Sequence, residues 1–367
     1  MRCNFLRIIL VAIFYLMGAP AYTHEINNIR PMMSEDKKYT EYWEQYFYLG
    51  DGSLVTSQFL IANFPWPVGK DHGIMLGTLI TPEGELYVIK NGRKPGKWGF
   101  KEDSLDLVIH THRLSGNDDN LNVHLENTMA IVDLQLKSLQ PVLNHKSYSS
   151  KDGFIETSFY APNLEGSGHW QLGKEAGFNP LGPLHKVEGV KGFGVHVLMT
   201  DKIDALVKNW TRIIGVSKEG PKPFLSSIVR PDGTEDILLK IFDGDQTIDS
   251  FSDVKITYQN MIEDEDNKAT RPTSIEIFAK SEKGTLKGTV TFTKKLNHFN
   301  LTEHLNFFEK TFAKSSPIVA NFRYLGDYNL TYSTSMGEKT LTGKALSEYT
   351  DILPAKKVTK KRRRNRR

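Results

Sequence analysis

The chain has 367 residues, of which 39% are hydrophobic and 11% aromatic, enough to form the cores of two domains. Its single cysteine, Cys3, lies in the N-terminal segment, so the sequence excludes disulfides and thiol chemistry from the rest of the protein. The net charge of +4 includes nine cations in residues 356–367 and two near the N-terminus; without these the chain carries −7, an acidic body with a basic tail.

The N-terminal segment has the pattern of a secretory signal peptide. Arg2 and Arg7 precede an apolar run from Ile8 to Met17, and small residues follow it. A membrane-spanning helix needs about 20 apolar residues, and this run is much shorter. We therefore predict a signal peptide over residues 1–23, an N-terminal extension over residues 24–38, and an exported mature protein that is periplasmic or secreted.

Between Tyr39 and Leu341 most of the chain alternates apolar and polar residues, with turn residues between the segments. The first predicted strand, Tyr42–Leu49, is rich in aromatic residues, and a Gly-Asp-Gly turn joins it to its hairpin partner Leu54–Asn63. Later predicted strands include His72–Ile80, Leu105–Arg113, Leu121–Leu136 and Ile318–Thr334. Many short strands separated by turns are typical of sandwiches and barrels rather than of βαβ units.

Helical patterns are few. We expect two β domains, with their boundary between Val187 and Gly194. Asp201–Asn209 has enough pattern for one or two turns, and Thr302–Phe312 carries apolar residues on one face. We expect the basic tail, residues 354–367, to be disordered. It is either a solvated segment or a contact for an anionic membrane surface or polyanion; the signal peptide argues against a specific nucleic acid.

The sequence lacks the common motifs of serine hydrolases, zinc proteases and nucleotide-binding loops, and we predict no cofactor. Two pairs of residues in neighbouring predicted strands form a metal-like pattern, namely His110 with His112 and His124 with Glu126. In the same register, however, apolar residues such as Leu107 occupy the other face, which must be the core. We therefore expect the histidines to face water and predict no metal site.

Aromatic residues and two polar residues within apolar strands suggest a ligand cavity. The aromatic candidates are Tyr46, Tyr48, Trp98, Trp170 and Trp210. They suit either ordinary core packing or the wall of a cavity for a large apolar ligand. Glu44 and Gln58 would be its polar anchors. A carboxyl in such surroundings has a raised pKa and suits an acid or a hydrogen-bond anchor, although alternation does not fix which face Glu44 occupies.

Several segments, in the same order, resemble a lipocalin-like group of proteins. This group comprises the AttH, carotenoid 1,2-hydratase (hydroxyneurosporene synthase) and survival-factor-1-like proteins. The similarity covers roughly residues 40–215. The segments that carry it are Glu44-Gln45-Tyr46-Phe47-Tyr48 followed by Asp51-Gly52, Val132-Asp133-Leu134-Gln135-Leu136 before Pro141-Val142-Leu143, Thr157 to Leu164 with Gly166 to Leu172, and Gly189-Val190-Lys191-Gly192-Phe193-Gly194-Val195-His196 followed by Trp210.

The resemblance implies an all-β fold of two consecutive lipocalin-like antiparallel β-barrels with few short helices. It places the first barrel at residues 39–190 and the second at 191–353. Members of the group are lipid binders or enzymes acting on isoprenoid or polyketide chains. Hydratase-like members tend to have a carboxylate just before the histidine of the glycine-rich segment. Here Val195 holds that position before His196, which favours binding over catalysis.

Three functions remain open. The first is an exported protein that binds or carries a lipid or another extended apolar molecule through the residues named above, including His196. The second is an enzyme, a hydratase, cyclase or isomerase, in which Glu44 and His196 act as acid and base; it requires both side chains to point into one cavity. The third is an interaction protein whose basic tail binds an anionic surface.

Overall fold

The computed structural model describes residues 31–63, 69–101, 104–117, 119–145, 148–265, 268–300 and 317–354, without the side chains of residues 297–300. The predicted signal peptide, the basic tail and the predicted helix Thr302–Phe312 lie outside the described residues. Within them, the chain forms two large antiparallel sheets that curl into two nearly closed barrels. The expected all-β fold of two lipocalin-like barrels with almost no helix is confirmed.

The first barrel contains thirteen strands. Eleven of them follow one another in the order β4-β3-β2-β1-β13-β12-β9-β8-β7-β6-β5, and β10 and β11 pair with β12. The strands are β1 (Thr40–Tyr48), β2 (Leu54–Ala62), β3 (His72–Ile80), β4 (Leu86–Arg93), β5 (Trp98–Phe100), β6 (Leu105–Ile109), β7 (His112–Gly116), β8 (Asn120–Glu126), β9 (Ala130–Ser138), β10 (Leu143–Asn144), β11 (Tyr148–Ser149), β12 (Phe154–Leu172) and β13 (His185–Met199).

The second barrel contains nine strands in the order β17-β16-β15-β14-β24-β23-β22-β21-β18, and β19 and β20 form a separate small ribbon. A 3₁₀ turn at Lys174–Ala176 and the short helix α1 (Ile203–Leu206) complete the described elements. The strands are β14 (Asn209–Gly215), β15 (Lys222–Val229), β16 (Glu235–Asp243), β17 (Gln246–Phe251), β18 (Asp253–Gln259), β19 (Ile262–Glu263), β20 (Thr270–Arg271), β21 (Ser274–Lys280), β22 (Gly284–Asn300), β23 (Ile318–Thr334) and β24 (Gly337–Leu353). Within the described ranges, no helix has the length and hydropathy needed to cross a membrane.

The glycine-rich strand β13 belongs to the first barrel. It pairs with β1 along one edge and with β12 along the other, so it is needed to join these two parts of the first sheet. The chain therefore passes from one sheet to the other between Met199 and Asn209, after the expected start of the second barrel at residue 191. The glycines of β13 let side chains pack closely: a Cβ on Gly194 would lie 2.6 Å from the ring of Tyr160.

Two predicted strands are divided by turns. Leu121–Leu136 forms β8, which ends at Glu126, and β9, which starts at Ala130. Leu105–Arg113 was expected to be continuous, but β6 ends at Ile109 and β7 starts at His112. His110 has a positive φ of 62°, which is the conformation of a tight turn and is incompatible with an extended strand. The turn reverses the chain and changes which residues of this segment face inward.

The two faces of β1 serve two different cores. Because side chains alternate along a strand, Trp43 and Phe47 point into the first barrel, whereas Tyr42 and Tyr46 point toward the second. Both faces are buried, since the second barrel covers the outer face of β1 and β13. The described residues thus form three apolar cores: one inside each barrel and one between them, which we call the inter-barrel layer.

Candidate functional site

The predicted site residues divide between two of these cores. Glu44, Tyr46 and Trp210 are buried in the inter-barrel layer, and Tyr48 packs against it. His196, Trp98 and Trp170 belong to the first barrel instead, where His196 and Trp170 are buried and Trp98 is half-buried. Gln58 lies directly opposite Glu44 on β2 and is half-buried.

Glu44 and His196 do not share a cavity. In the β1–β13 ladder Glu44 lies opposite Val195, and Trp43 lies opposite His196, so the two predicted acid–base residues are on opposite faces of one sheet. The acid–base pair expected for an enzyme is therefore not formed by these residues. Each has a different set of partners.

A buried ion-pair network in the inter-barrel layer surrounds Glu44. Nη1 of Arg212, on β14, donates to Oε2 of Glu44 at 3.0 Å and to Oε2 of Glu348, on β24, at 3.1 Å. Arg323, on β23, places Nη2 3.8 Å from Oε1 of Glu44. All four side chains are at least 94% buried. Two carboxyls and two guanidinium groups thus balance formally, and the network joins the two barrels.

The two carboxyls of this network are not equivalent. Glu348 accepts hydrogen bonds at Oε1 from the indole of Trp210 at 2.8 Å, from Thr350 at 3.0 Å and from the amide of Asn321. Glu44 accepts one from Tyr46 at 2.9 Å in addition to the bond from Arg212. Hydrogen bonds to a carboxylate favour its charged form.

The pKa values of these carboxyls shift in opposite directions. Burial, followed by the nearby charge of Glu348, raises the pKa of Glu44 above its ordinary range, against the effect of Arg212. Burial would also raise the pKa of Glu348, but Arg212 and the Trp210 hydrogen bond outweigh it and lower that pKa. The tendency to be charged is therefore greater for Glu348 than for Glu44.

Aromatic rings extend from this network along the layer. Tyr46 stacks on Phe193 with ring centroids 4.9 Å apart, and Phe224 contacts Phe159 edge-on at 4.8 Å and Phe242 at 5.7 Å. These rings come from both barrels. The layer thus combines a polar network at one place with a continuous aromatic surface beside it.

Two polar atoms of the layer have no hydrogen-bond partner among the described residues. Oδ1 of Asn321 is buried beside Glu348, and Oγ of Ser226 is buried on β15 in register with Arg212. An unpaired buried polar group costs about 1–3 kcal/mol. The inter-barrel layer therefore offers two unsatisfied oxygen atoms, one beside Glu348 and one opposite Arg212.

His196 has a carboxylate partner that sequence reasoning missed. Its Nε2 lies 2.7 Å from Oε1 of Glu41, which projects from β1 into the first barrel, and both residues are fully buried or nearly so. The indole of Trp43 stacks on the imidazole at 4.7 Å. The carboxylate that Val195 does not supply in sequence is thus supplied from the neighbouring strand.

The two remaining predicted tryptophans are held by local contacts. The indole of Trp170 donates to Asp51 at 2.9 Å and stacks on His185 at 3.8 Å. The indole of Trp98 donates to the backbone oxygen of Asp71 at 2.7 Å. Both nitrogens are already paired, so these residues support the first barrel and offer no free donor.

The histidines of the metal-like pattern are dispersed. His112 is completely buried and bonded to Asn91 at 2.8 Å, which shows that the expectation of a water-facing side chain is wrong for this residue, because of the turn at His110. His110 is exposed, and His124 pairs with Asp133 on the outer surface. No cluster suited to a metal ion occurs in the part of the chain that the structure describes.

Sequence reasoning also missed Arg212, Arg323 and Glu348. The available signal was a charged residue within an apolar strand, as in Trp210-Thr211-Arg212-Ile213-Ile214. Such a residue is almost never buried unless it is paired. The pattern could have predicted a buried ion pair, but its partner lies in a different strand and was not identifiable from spacing.

Solved structures with the same two-barrel architecture match most of the chain. An AttH protein from Nitrosomonas europaea has a TM-score of 0.57 and 13% identity, with 88% of this chain and 94% of that chain covered. Kievitone hydratase from Nectria haematococca has a TM-score of 0.52 and 12% identity, with coverages of 86% and 89%. CghA with Sch210972 has a TM-score of 0.56 and 8% identity, again with coverages of 86% and 89%.

These similarities confirm the expected resemblance at the level of the fold. The AttH protein and kievitone hydratase both correspond to the lipocalin-like group that the sequence motifs had indicated. A scan against models of protein families gives no match, and a search of the curated proteins gives none either.

Proposed function

We propose that the protein binds or carries an extended, largely apolar small molecule or lipid in the inter-barrel layer. The aromatic rings of this layer suit a hydrophobic chain or ring system, and Glu44 suits its polar anchor. A carboxyl that keeps its proton can donate a hydrogen bond to a carbonyl or hydroxyl without placing a charge against apolar surface.

The observation that carries this proposal is a pair of unsatisfied oxygen atoms at the ion-pair network. Oδ1 of Asn321 and Oγ of Ser226 are buried without partners among the described residues. The amide of Asn321 bonds to Glu348, and Ser226 lies opposite Arg212. A polar group of a ligand would satisfy these oxygens, and because most buried polar groups in folded proteins are paired, they support a binding site.

Binding is tested first on the purified full chain. Native mass spectrometry and solvent extraction should reveal an apolar compound that co-purifies, and a fluorescent polyene fatty acid should bind. The variant Ser226→Leu fills the layer and should weaken binding of this probe about tenfold or more. Ser252→Leu, at an exposed position, should leave binding unchanged. No co-purified compound and no probe binding would contradict the proposal.

A second candidate is an enzyme that protonates an apolar substrate. The observation that favours it is the raised pKa of Glu44, since burial favours the protonated form that a general acid requires. One structural neighbour is named a hydratase. The substrate would be an isoprenoid-like or polyketide-like chain, and the reaction a hydration, cyclisation or isomerisation.

The variant Glu44→Gln separates the two candidates. Glutamine keeps the shape and hydrogen-bonding ability of the side chain but has no acidic proton. For a binding protein, the polyene fatty acid should still bind within a few-fold of the unchanged protein. For an enzyme, turnover of a polyene substrate should disappear while binding remains, and retained turnover would remove Glu44 from the mechanism.

Two parts of the proposal concern residues outside those described. The pattern of residues 1–23 supports export, which N-terminal sequencing of the mature protein from its host would test; an intact N-terminus in the cytoplasmic fraction would contradict it. The cations of residues 356–367 support contact with an anionic membrane or polyanion. Deleting these residues should then release the protein from anionic vesicles, and unchanged binding would exclude this role.

A further inference from the structure

Two buried polar side chains face each other inside the first barrel without hydrogen-bond partners on their inward atoms. Ser158 of β12 and His196 of β13 are paired in register, so their side chains lie on the same face of the sheet. Each is 1% exposed. Oγ of Ser158 and Nδ1 of His196 bond to nothing within the described part of the chain. Directly opposite residues have Cβ atoms about 4.5–5.5 Å apart, close enough to contact one small group together.

The partners of Glu41 determine the hydrogen position on His196. Oε2 of Glu41 accepts hydrogen bonds from the backbone N–H of Met32 at 2.9 Å and from the hydroxyl of Tyr39. Its Oε1 faces Nε2 of His196 at 2.7 Å, so we assign the hydrogen of that contact to Nε2. In the neutral tautomer with its hydrogen on Nε2, Nδ1 is a hydrogen-bond acceptor.

The imidazole is also fixed in orientation. The ring of Trp43 stacks on it at 4.7 Å and an interplanar angle of 12°, and Glu41 holds its other end. An acceptor nitrogen held in this way is pre-organised for a donor. The Ser158 hydroxyl beside it supplies both a hydrogen and lone pairs.

Neighbouring polar groups on the same inner face satisfy one another. The amide of Gln45 donates to the hydroxyl of Tyr160 at 2.6 Å and accepts from the hydroxyl of Ser57. Aliphatic and aromatic side chains of the first core form much of the remaining inner surface. Ser158 and His196 therefore suit one additional polar group on an otherwise apolar molecule.

From this geometry we infer that the first barrel contains a second ligand site, which binds the hydroxyl group of an apolar alcohol. The alcohol donates its hydrogen to Nδ1 of His196 and accepts the hydrogen of Ser158. Its apolar body lies along the first core.

This site is separate from the proposed site in the inter-barrel layer. Glu44 and His196 lie on opposite faces of the sheet formed by β1 and β13, so a ligand at one site does not contact the other. The inference goes beyond the proposed function, and variants of Ser158 or His196 test it independently of Glu44.

The test compares an alcohol with its methyl ether on the full chain. Isothermal titration calorimetry compares the affinities of 1-octanol and 1-methoxyoctane. Because the ether keeps the oxygen and the apolar body, the difference in affinity reports the contribution of the hydroxyl hydrogen. We expect 1-octanol to bind about tenfold tighter or more, the effect of one or two buried hydrogen bonds. Ser158→Ala and His196→Gln should reduce this preference, whereas Ser252→Leu, at an exposed position, should leave it unchanged.

The melting temperature provides a second measurement. Because the hydroxyl of Ser158 has no partner in the unbound protein, Ser158→Ala should leave the melting temperature unchanged or raise it, while weakening 1-octanol binding. His196→Gln keeps a donor for Glu41 and serves as the conservative variant. Equal affinity for alcohol and ether, no binding of either, or a clearly lower melting temperature for Ser158→Ala would each overturn the inference.

Discussion

Arg212 of the second barrel donates a hydrogen bond to Glu44 of the first at 3.0 Å, with both side chains at least 95% buried. Because the same Nη1 atom also donates to Glu348 at 3.1 Å, the guanidinium lies between two carboxyls from different barrels. Charges removed from water in this way are tolerated only when they are paired. The ion-pair network therefore determines how the barrels are docked, in addition to its role in the proposed site.

The variant Arg212→Met should destabilise the protein strongly. It removes the cation that Glu44 and Glu348 share and leaves two carboxyls in an apolar layer. Removing one partner of a buried ion pair costs about 3–5 kcal/mol, to be measured as the free energy of unfolding in urea. Lys344→Met, which breaks an exposed pair with Asp327, is the control and should cost less than about 1 kcal/mol. Equal effects of the two variants would show that the network contributes little.

Gly194→Ala should destabilise the first barrel through a steric clash. The added Cβ would lie 2.6 Å from Cζ of Tyr160, whose hydroxyl accepts a hydrogen bond from Gln45. Overpacking of this kind typically costs about 1–3 kcal/mol, which thermal unfolding would detect. Gly92 on β4 is a matched control, because a Cβ there meets nothing within 4 Å. Gly92→Ala should leave the melting temperature nearly unchanged, and an equal loss in both variants would refute the packing explanation.

The buried His112 should make the protein less stable in acid. Burial, followed by the charges of His124 and Arg93, lowers the pKa of His112 to about 4. The unfolded chain, with a histidine pKa of about 6.5, therefore takes up a proton that the folded protein does not. The contribution of His112 to the free energy of unfolding is fully present above pH about 6.5. It decreases by on the order of 3 kcal/mol as the pH falls toward 4.

Urea unfolding of the protein and of His112→Gln over this pH range isolates the effect. Glutamine does not titrate, so the difference in free energy of unfolding between the two proteins should decrease from pH 7 to pH 4. A difference that stays constant with pH would show that His112 remains protonated in both states or neutral in both.

The sequence predicted the strands well because their pattern is local. Alternation gave His72–Ile80 and Ile318–Thr334 with their observed bounds, and it predicted the hairpin of β1 and β2 to within two residues. It failed at His110, because a single residue with positive φ interrupts a run that has the composition of a strand. It also did not predict the pairing of β13 with both β1 and β12, which depends on distant strands.

The sequence predicted some residues of the candidate site but not the partners to which they bond. Glu44 was identified as a polar residue within an apolar strand and His196 through the family resemblance, and both are buried. Their partners, Arg212 and Glu41, could not be deduced, because the first depends on docking of a second domain and the second on register between two strands. A shift of one residue in that register would exchange the two faces of β1.

The outer surface of the first barrel contains a histidine whose protonation should stabilise the fold. Burial opposes the charged form of His124, but hydrogen bonds with Asp133 at 2.6 Å and Glu126 at 3.2 Å outweigh it and raise the pKa of His124 above 6.5. His169 also approaches Asp133, at 3.4 Å. A raised pKa in the folded state means that this stabilisation is complete below pH about 6.5 and is lost as the pH rises through the folded pKa.

The melting temperatures of the unchanged protein and of His124→Gln, each measured at pH 6 and pH 9, test this effect. The melting temperature of the unchanged protein should exceed that of the variant, and this margin should be larger at pH 6 than at pH 9. The reason is that the ion pair with Asp133 exists only when His124 is protonated. The margin should also shrink in high salt, since the side chains are about one-third exposed and therefore screened. Asp133→Asn should remove the same margin at pH 6, and a margin that grows toward pH 9 would contradict the assigned sign.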